Sequence, residues 1–76
     1  MPHVTISLYP GHSQDEKVRL SEKVRDDVVS VLGADIKAVS VSIREVSDKN
    51  WRQVVYDKEI YSDDVEVHVK PGYLFE

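Results

Sequence analysis

"MPHVTISLYPGHSQDEKVRL", residues 1–20, sets two periodicities end to end. From Pro2 to Leu8 apolar and polar residues alternate. Pro2, Val4, Ile6 and Leu8 fall on one side, and His3, Thr5, Ser7 and Tyr9 on the other, which is the pattern of a strand with one apolar face. Proline lacks the backbone hydrogen that a sheet interior needs, but it is tolerated as the first residue of a strand, where Pro2 stands. "YPGH" (residues 9–12) breaks the run with a Pro-Gly turn signal. Ser13 with Glu16 three residues on then forms a capping box, and Asp15 adds favourable charge at the positive end of a helix dipole.

The helix so opened runs from about Gln14 to Leu32. Leu20, Val24, Val28, Val31 and Leu32 recur at helical spacing, and Gly33 is placed to take the left-handed conformation that ends a helix. A second alternating run, about Ala38 to Val46, sets Val39, Val41 and Ile43 against Ser40, Ser42 and Arg44. Strand, long helix, strand is a right-handed βαβ crossover, so the two strands lie parallel with the helix on one face. The other face, with Thr5, Ser7, Ser40, Ser42 and Arg44, reads as wet.

Beyond Val46, Ser47 is a plausible N-cap, and Trp51, Val54 and Val55 indicate a short helix. "VEVHV" (residues 65–69) alternates like a strand, although the preceding "SDD" can open a helix. "KPGYLFE" (residues 70–76) is a Pro-Gly turn followed by an apolar tail, expected to pack on a partner subunit or over a pocket.

Seventy-six residues make one small domain near the size at which a single core suffices. Without cysteines, neither a disulfide framework nor a thiolate metal site can stiffen it, which leaves oligomerisation as the common remedy. The net charge of −4, with both signs interspersed, argues against nucleic acid. No apolar run approaches membrane-spanning length, and no basic-then-apolar leader opens the chain, so a cytoplasmic protein is expected. No metal or other cofactor is expected.

Taken in order, Met-Pro before a short strand, "GHSQDEK" opening a long helix, "AVSVSIREV" as a second strand, the "NW" at residues 50–51 and a closing "KPGY" resemble the 4-oxalocrotonate tautomerase family. The closing portion is most similar to its short dimeric, phenylpyruvate-type branch. The resemblance spans essentially the whole chain. It implies an α+β fold in which a β-α-β protomer dimerises into a four-stranded sheet. It also implies cofactor-independent keto–enol isomerisation with the amino-terminal proline, here Pro2 after loss of Met1, as catalytic base.

The chemistry is consistent with that assignment. Tautomerisation needs a base poised near neutrality, and an ordinary α-amino group titrates near ~8. Apolar walls or a nearby cation favour the neutral amine. Better-known members hold a dicarboxylate with two arginines, whose positions here fall on His12 and Ser40. Arg44, on the same strand face as Ser40, is a candidate carboxylate clamp, and His12 a candidate donor. Trp51 aligns with the family's pocket aromatic, or else anchors the short helix. His3 and His68 carry no assignment. The loss of both arginines favours a monocarboxylate with an aromatic or apolar tail as the small enol or keto acid substrate. The alternatives are a proline-dependent hydratase or dehalogenase, and a non-catalytic homodimeric binding protein.

Overall fold

The computed structural model describes residues 1–75, which divide into two compact units, Met1–Glu45 and the residues from Val46 onward. In the first unit, β1 (His3–Leu8) and β2 (Ser40–Glu45) form a two-stranded parallel sheet in the register His3↔Ser40 through Leu8↔Glu45. Between them runs the 19-residue helix α1 (Gln14–Leu32).

Both ends of α1 are secured by its own sequence. The Ser13 hydroxyl accepts from the Glu16 N–H at 3.1 Å, while the Ser13 N–H donates to Glu16 Oε1 at 2.9 Å. At the far end Gly33 adopts φ 66° and its N–H donates to the Val29 carbonyl at 3.0 Å. A side chain is disfavoured at that positive φ, so glycine is the natural stop.

Donation from the Ser13 N–H holds the Glu16 carboxyl below its usual range, with the Ser13 hydroxyl and His12 acting in the same sense. A carboxylate whose pKa is lowered on folding contributes stability that is complete above its unfolded value, about 4.3, and is lost as pH falls through the lower folded value. Glu16→Gln keeps the geometry of the box but cannot titrate. The stability difference between wild type and this variant, read from thermal melts, should therefore shrink as the solution is acidified below about pH 4. A difference that ignores pH would remove the assignment.

The face of α1 turned inward differs from the one expected. Lys17, Ser21, Val24, Arg25, Val28 and Val29 are half-buried, whereas Val31 and Leu32 remain 81% and 67% exposed and Leu20 is also exposed. Lys17 spans from α1 to β2, its Nζ 3.6 Å from Glu45 Oε2. Charged stems at 17 and 25 can cover apolar surface while keeping their heads in water, which hydrophobicity counting overlooks. The first unit contains no fully buried side chain.

The second strand is shorter than the alternation suggested. Ile36–Ala38 instead forms a 3₁₀ turn, opened by the Asp35 carboxylate accepting from the Lys37 N–H at 3.0 Å.

In the second unit, α2 (Asp48–Trp51) begins after Ser47, whose side chain makes no capping bond. It continues into a π-helical stretch, Arg52–Ile60, closed by the Tyr61 N–H donating to the Tyr56 carbonyl at 2.7 Å. Val46, Val55 and Tyr56 are buried, at 7%, 5% and 4% exposure. Residues 65–69 form neither a strand nor a helix. No helix among the described residues is long and apolar enough to cross a membrane.

Candidate active site

Pro2 immediately precedes β1 and is half-buried. Its carbonyl accepts from the Ser40 N–H at 3.2 Å, so the first rung of the parallel ladder ties Pro2 to the start of β2. Met1 is fully exposed. In the 76-residue chain the Pro2 nitrogen is an amide to Met1; removal of that one residue leaves a secondary amine on an anchored strand end.

Ser40 and its neighbours form a polar seam on the outer face. His3 Nδ1 lies 2.6 Å from Ser40 Oγ, and its Nε2 lies 3.2 Å from Thr5 Oγ1 and 3.4 Å from Ser42 Oγ. Hydroxyls donate or accept as required, so the seam accommodates either imidazole tautomer. His3, given no assignment from the sequence, thus braces the residue that holds Pro2. The signal was available: the parallel register sets His3 opposite Ser40, and both point away from the helix.

The remaining candidates lie elsewhere. Arg44 donates through Nη2 to Ser7 Oγ at 3.1 Å on the same face, but four positions along β2 from Ser40, roughly 13 Å. His12 follows the opposite end of β1 from Pro2, in the loop before α1, with Nδ1 3.9 Å from Glu16 Oε1. It lines an open groove with Leu8, Lys17 and Leu20. The six positions separating Pro2 from Leu8 span roughly 20 Å of strand. Within one chain the fold therefore brings Ser40 to Pro2 and leaves Arg44 and His12 at the far end of the sheet.

Trp51 belongs to the second unit. It is half-buried, and its indole Nε1–H donates to the Tyr73 hydroxyl at 2.9 Å. The Tyr73 ring rests against Tyr56 and Phe75, with centroids at 5.8 and 5.7 Å. Tyr56 meets Phe75 edge-on at 4.8 Å and stacks on Tyr61 at 6.0 Å, and the Arg52 guanidinium lies 5.7 Å from the Phe75 centroid. The closing segment thus folds onto aromatic side chains of its own unit. Glu76 lies outside the described residues.

The family model described as "Tautomerase enzyme" matches residues 2–58, beginning at the anchored proline. This chain belongs to the tautomerase family. A probable tautomerase of Xylella fastidiosa (strain 9a5c) is 34% identical over 73 residues, covering 96% of this chain and 89% of its own length. Tautomerase PptA of Enterobacter sp. (strain 638) is 32% identical over 74 residues, covering 96% and 97%. Among solved structures, YwhB, a homologue of 4-oxalocrotonate tautomerase, superposes with a TM-score of 0.59 at 33% identity over 60% of this chain and 75% of that one. A 4-oxalocrotonate tautomerase isozyme from Methylibium petroleiphilum gives 0.62 at 32% identity over 66% and 81%.

The β-α-β architecture expected from the sequence is therefore the tautomerase fold, and the chain is an enzyme of the isomerase class that interconverts keto and enol forms.

Proposed function

We propose that this tautomerase isomerises a small 2-oxo or enol monocarboxylic acid with an aromatic tail, of the arylenolpyruvate type, using the Pro2 amine as base once Met1 is gone. The observation that supports the reading is the hydrogen bond from the Ser40 N–H to the Pro2 carbonyl, which ties the residue bearing that nitrogen to the start of β2. In ketonisation the neutral amine takes the enol hydroxyl proton and the C–O bond becomes C=O. The electron pair moves to the neighbouring carbon, which is then protonated, and the ammonium formed on Pro2 is itself a proton donor. One proton leaves oxygen, one arrives at carbon, and no electrons are exchanged with a cofactor.

The aromatic preference is supported by Trp51 and by the replacement of the two arginines. Arg44 and His12 remain candidates for the carboxylate, but the strand distances require that either reach a Pro2 other than its own. That geometry, with the exposed Leu20, Val31 and Leu32 on α1, supports a working homodimer. Light scattering should report about twice the chain mass; a stable monomer with full activity would exclude a site shared between copies. The catalytic reading is tested by following ketonisation of phenylenolpyruvate by ultraviolet absorbance in protein shown by mass to lack Met1. Activity should rise with pH as the amine loses its proton, and no turnover at any pH would refute it.

A further inference from the structure

Once Met1 is gone, Pro2 is the first residue of the chain. A chain end opens with a free energy close to zero unless something ties it down. The bond from the Ser40 N–H to the Pro2 carbonyl, at 3.2 Å, is one such tie. The side chains beside it supply more. His3 reaches across to β2 twice, from Nδ1 to Ser40 Oγ at 2.6 Å and from Nε2 to Ser42 Oγ at 3.4 Å. Nε2 also lies 3.2 Å from Thr5 Oγ1, which in turn accepts from Ser42 Oγ at 3.4 Å. His3, Thr5, Ser40 and Ser42 thus close a clasp over the first rungs of the sheet. Its shortest contact falls on Ser40, the residue whose N–H holds Pro2.

We propose that His3 is a positioning residue for the Pro2 base: its imidazole holds Ser40 so that the rung carrying Pro2 stays closed. The inference rests on the reading of Pro2 as the base, but the rung can be watched without turnover through solvent exchange of the Ser40 N–H. Every group it invokes lies within the one unit, Met1–Glu45.

In protein shown by mass to lack Met1, His3→Ala should speed exchange of the Ser40 N–H about fivefold, the usual worth of one neutral hydrogen bond. It should lower kcat for phenylenolpyruvate about two- to fivefold and leave KM within about twofold, because the base loses its place and the substrate does not. Asparagine carries a polar atom where imidazole has Nδ1, and glutamine one where it has Nε2. His3→Asn should therefore restore both the slow exchange and kcat, and His3→Gln should restore neither. Adding His3→Ala to Ser40→Ala should deepen neither loss appreciably, since the contact is already gone. A fall in kcat with Ser40 exchange unchanged would mean that His3 acts on the substrate directly, and would overturn the proposal. Rescue by glutamine in place of asparagine would overturn it as well. If the wild type has no turnover, the reading of Pro2 as base fails on its own. The clasp is then judged by exchange alone, and equal Ser40 rates in wild type and His3→Ala would refute it.

Discussion

Retaining Met1, or acetylating the Pro2 amine, should abolish tautomerase activity, and Pro2→Ala should lower kcat/KM by about 10²–10⁴-fold. The two losses differ in kind. In an amide the nitrogen lone pair is delocalised into the carbonyl and cannot accept a proton at neutral pH. Alanine, by contrast, still offers an amine after Met1 is removed. It is primary rather than secondary, and without the pyrrolidine ring its φ is no longer fixed, so the lone pair loses its direction. General-base steps contribute within the range given, which sets the size of the expected loss. The measurement is ketonisation of phenylenolpyruvate by samples whose intact mass has been determined. Full activity in a sample proven to carry Met1, or a Pro2→Ala rate equal to wild type, would reduce Pro2 to a residue that starts a strand.

Tyr56→Ala should be the most damaging single change to stability, at about 3–5 kcal/mol. Its ring is 4% exposed and meets Tyr61, Tyr73 and Phe75, so truncation opens a cavity and removes the shared contact of three aromatic side chains. Domains of this size have only about 0.05–0.15 kcal/mol of stability per residue, so a loss of this size removes much or all of it. Urea titration monitored by Trp51 fluorescence should show a large fall in midpoint, while Tyr56→Phe, which keeps the ring, should lie close to wild type. A small effect of Tyr56→Ala would mean that the cluster does not act as the core of the second unit.

What could be read in advance depended on whether a signal was local. Gln14 and Leu32 were both placed correctly as the ends of α1, because Ser13, Glu16 and Gly33 act within a turn of the backbone they terminate. The parallel order of the strands followed from the crossover, and the wet face from alternation. The reading missed where an outcome required knowing a neighbour. The alternation at 38–46 concealed the Asp35-capped turn at Ile36–Ala38, and that at 65–69 formed no strand. The π-helical stretch at Arg52–Ile60 has no sequence signature comparable to a cap.

The candidate site divides along the same line. Ser40 entered only as one of the family's arginine positions; its bond to Pro2, and the place of His3 beside it, follow from a strand register that the sequence reading did not work out. Arg44 was assigned to the right face, but a face is long, and its place opposite Ser7 puts it well down the strand. The bond from Trp51 to Tyr73 joins residues 22 apart with no periodicity between them, so only the folded chain reveals it.

The absence of a fully buried side chain in the first unit makes protein concentration a structural variable. If a second copy covers the exposed residues of α1, folding and association become one equilibrium, and dilution itself acts as a mild denaturant. Rates measured at nanomolar enzyme would then describe a different population from the one present at micromolar enzyme. Specific activity should fall on dilution and recover on concentration. A specific activity constant across that range would show that the thinly covered sheet and helix hold together without help.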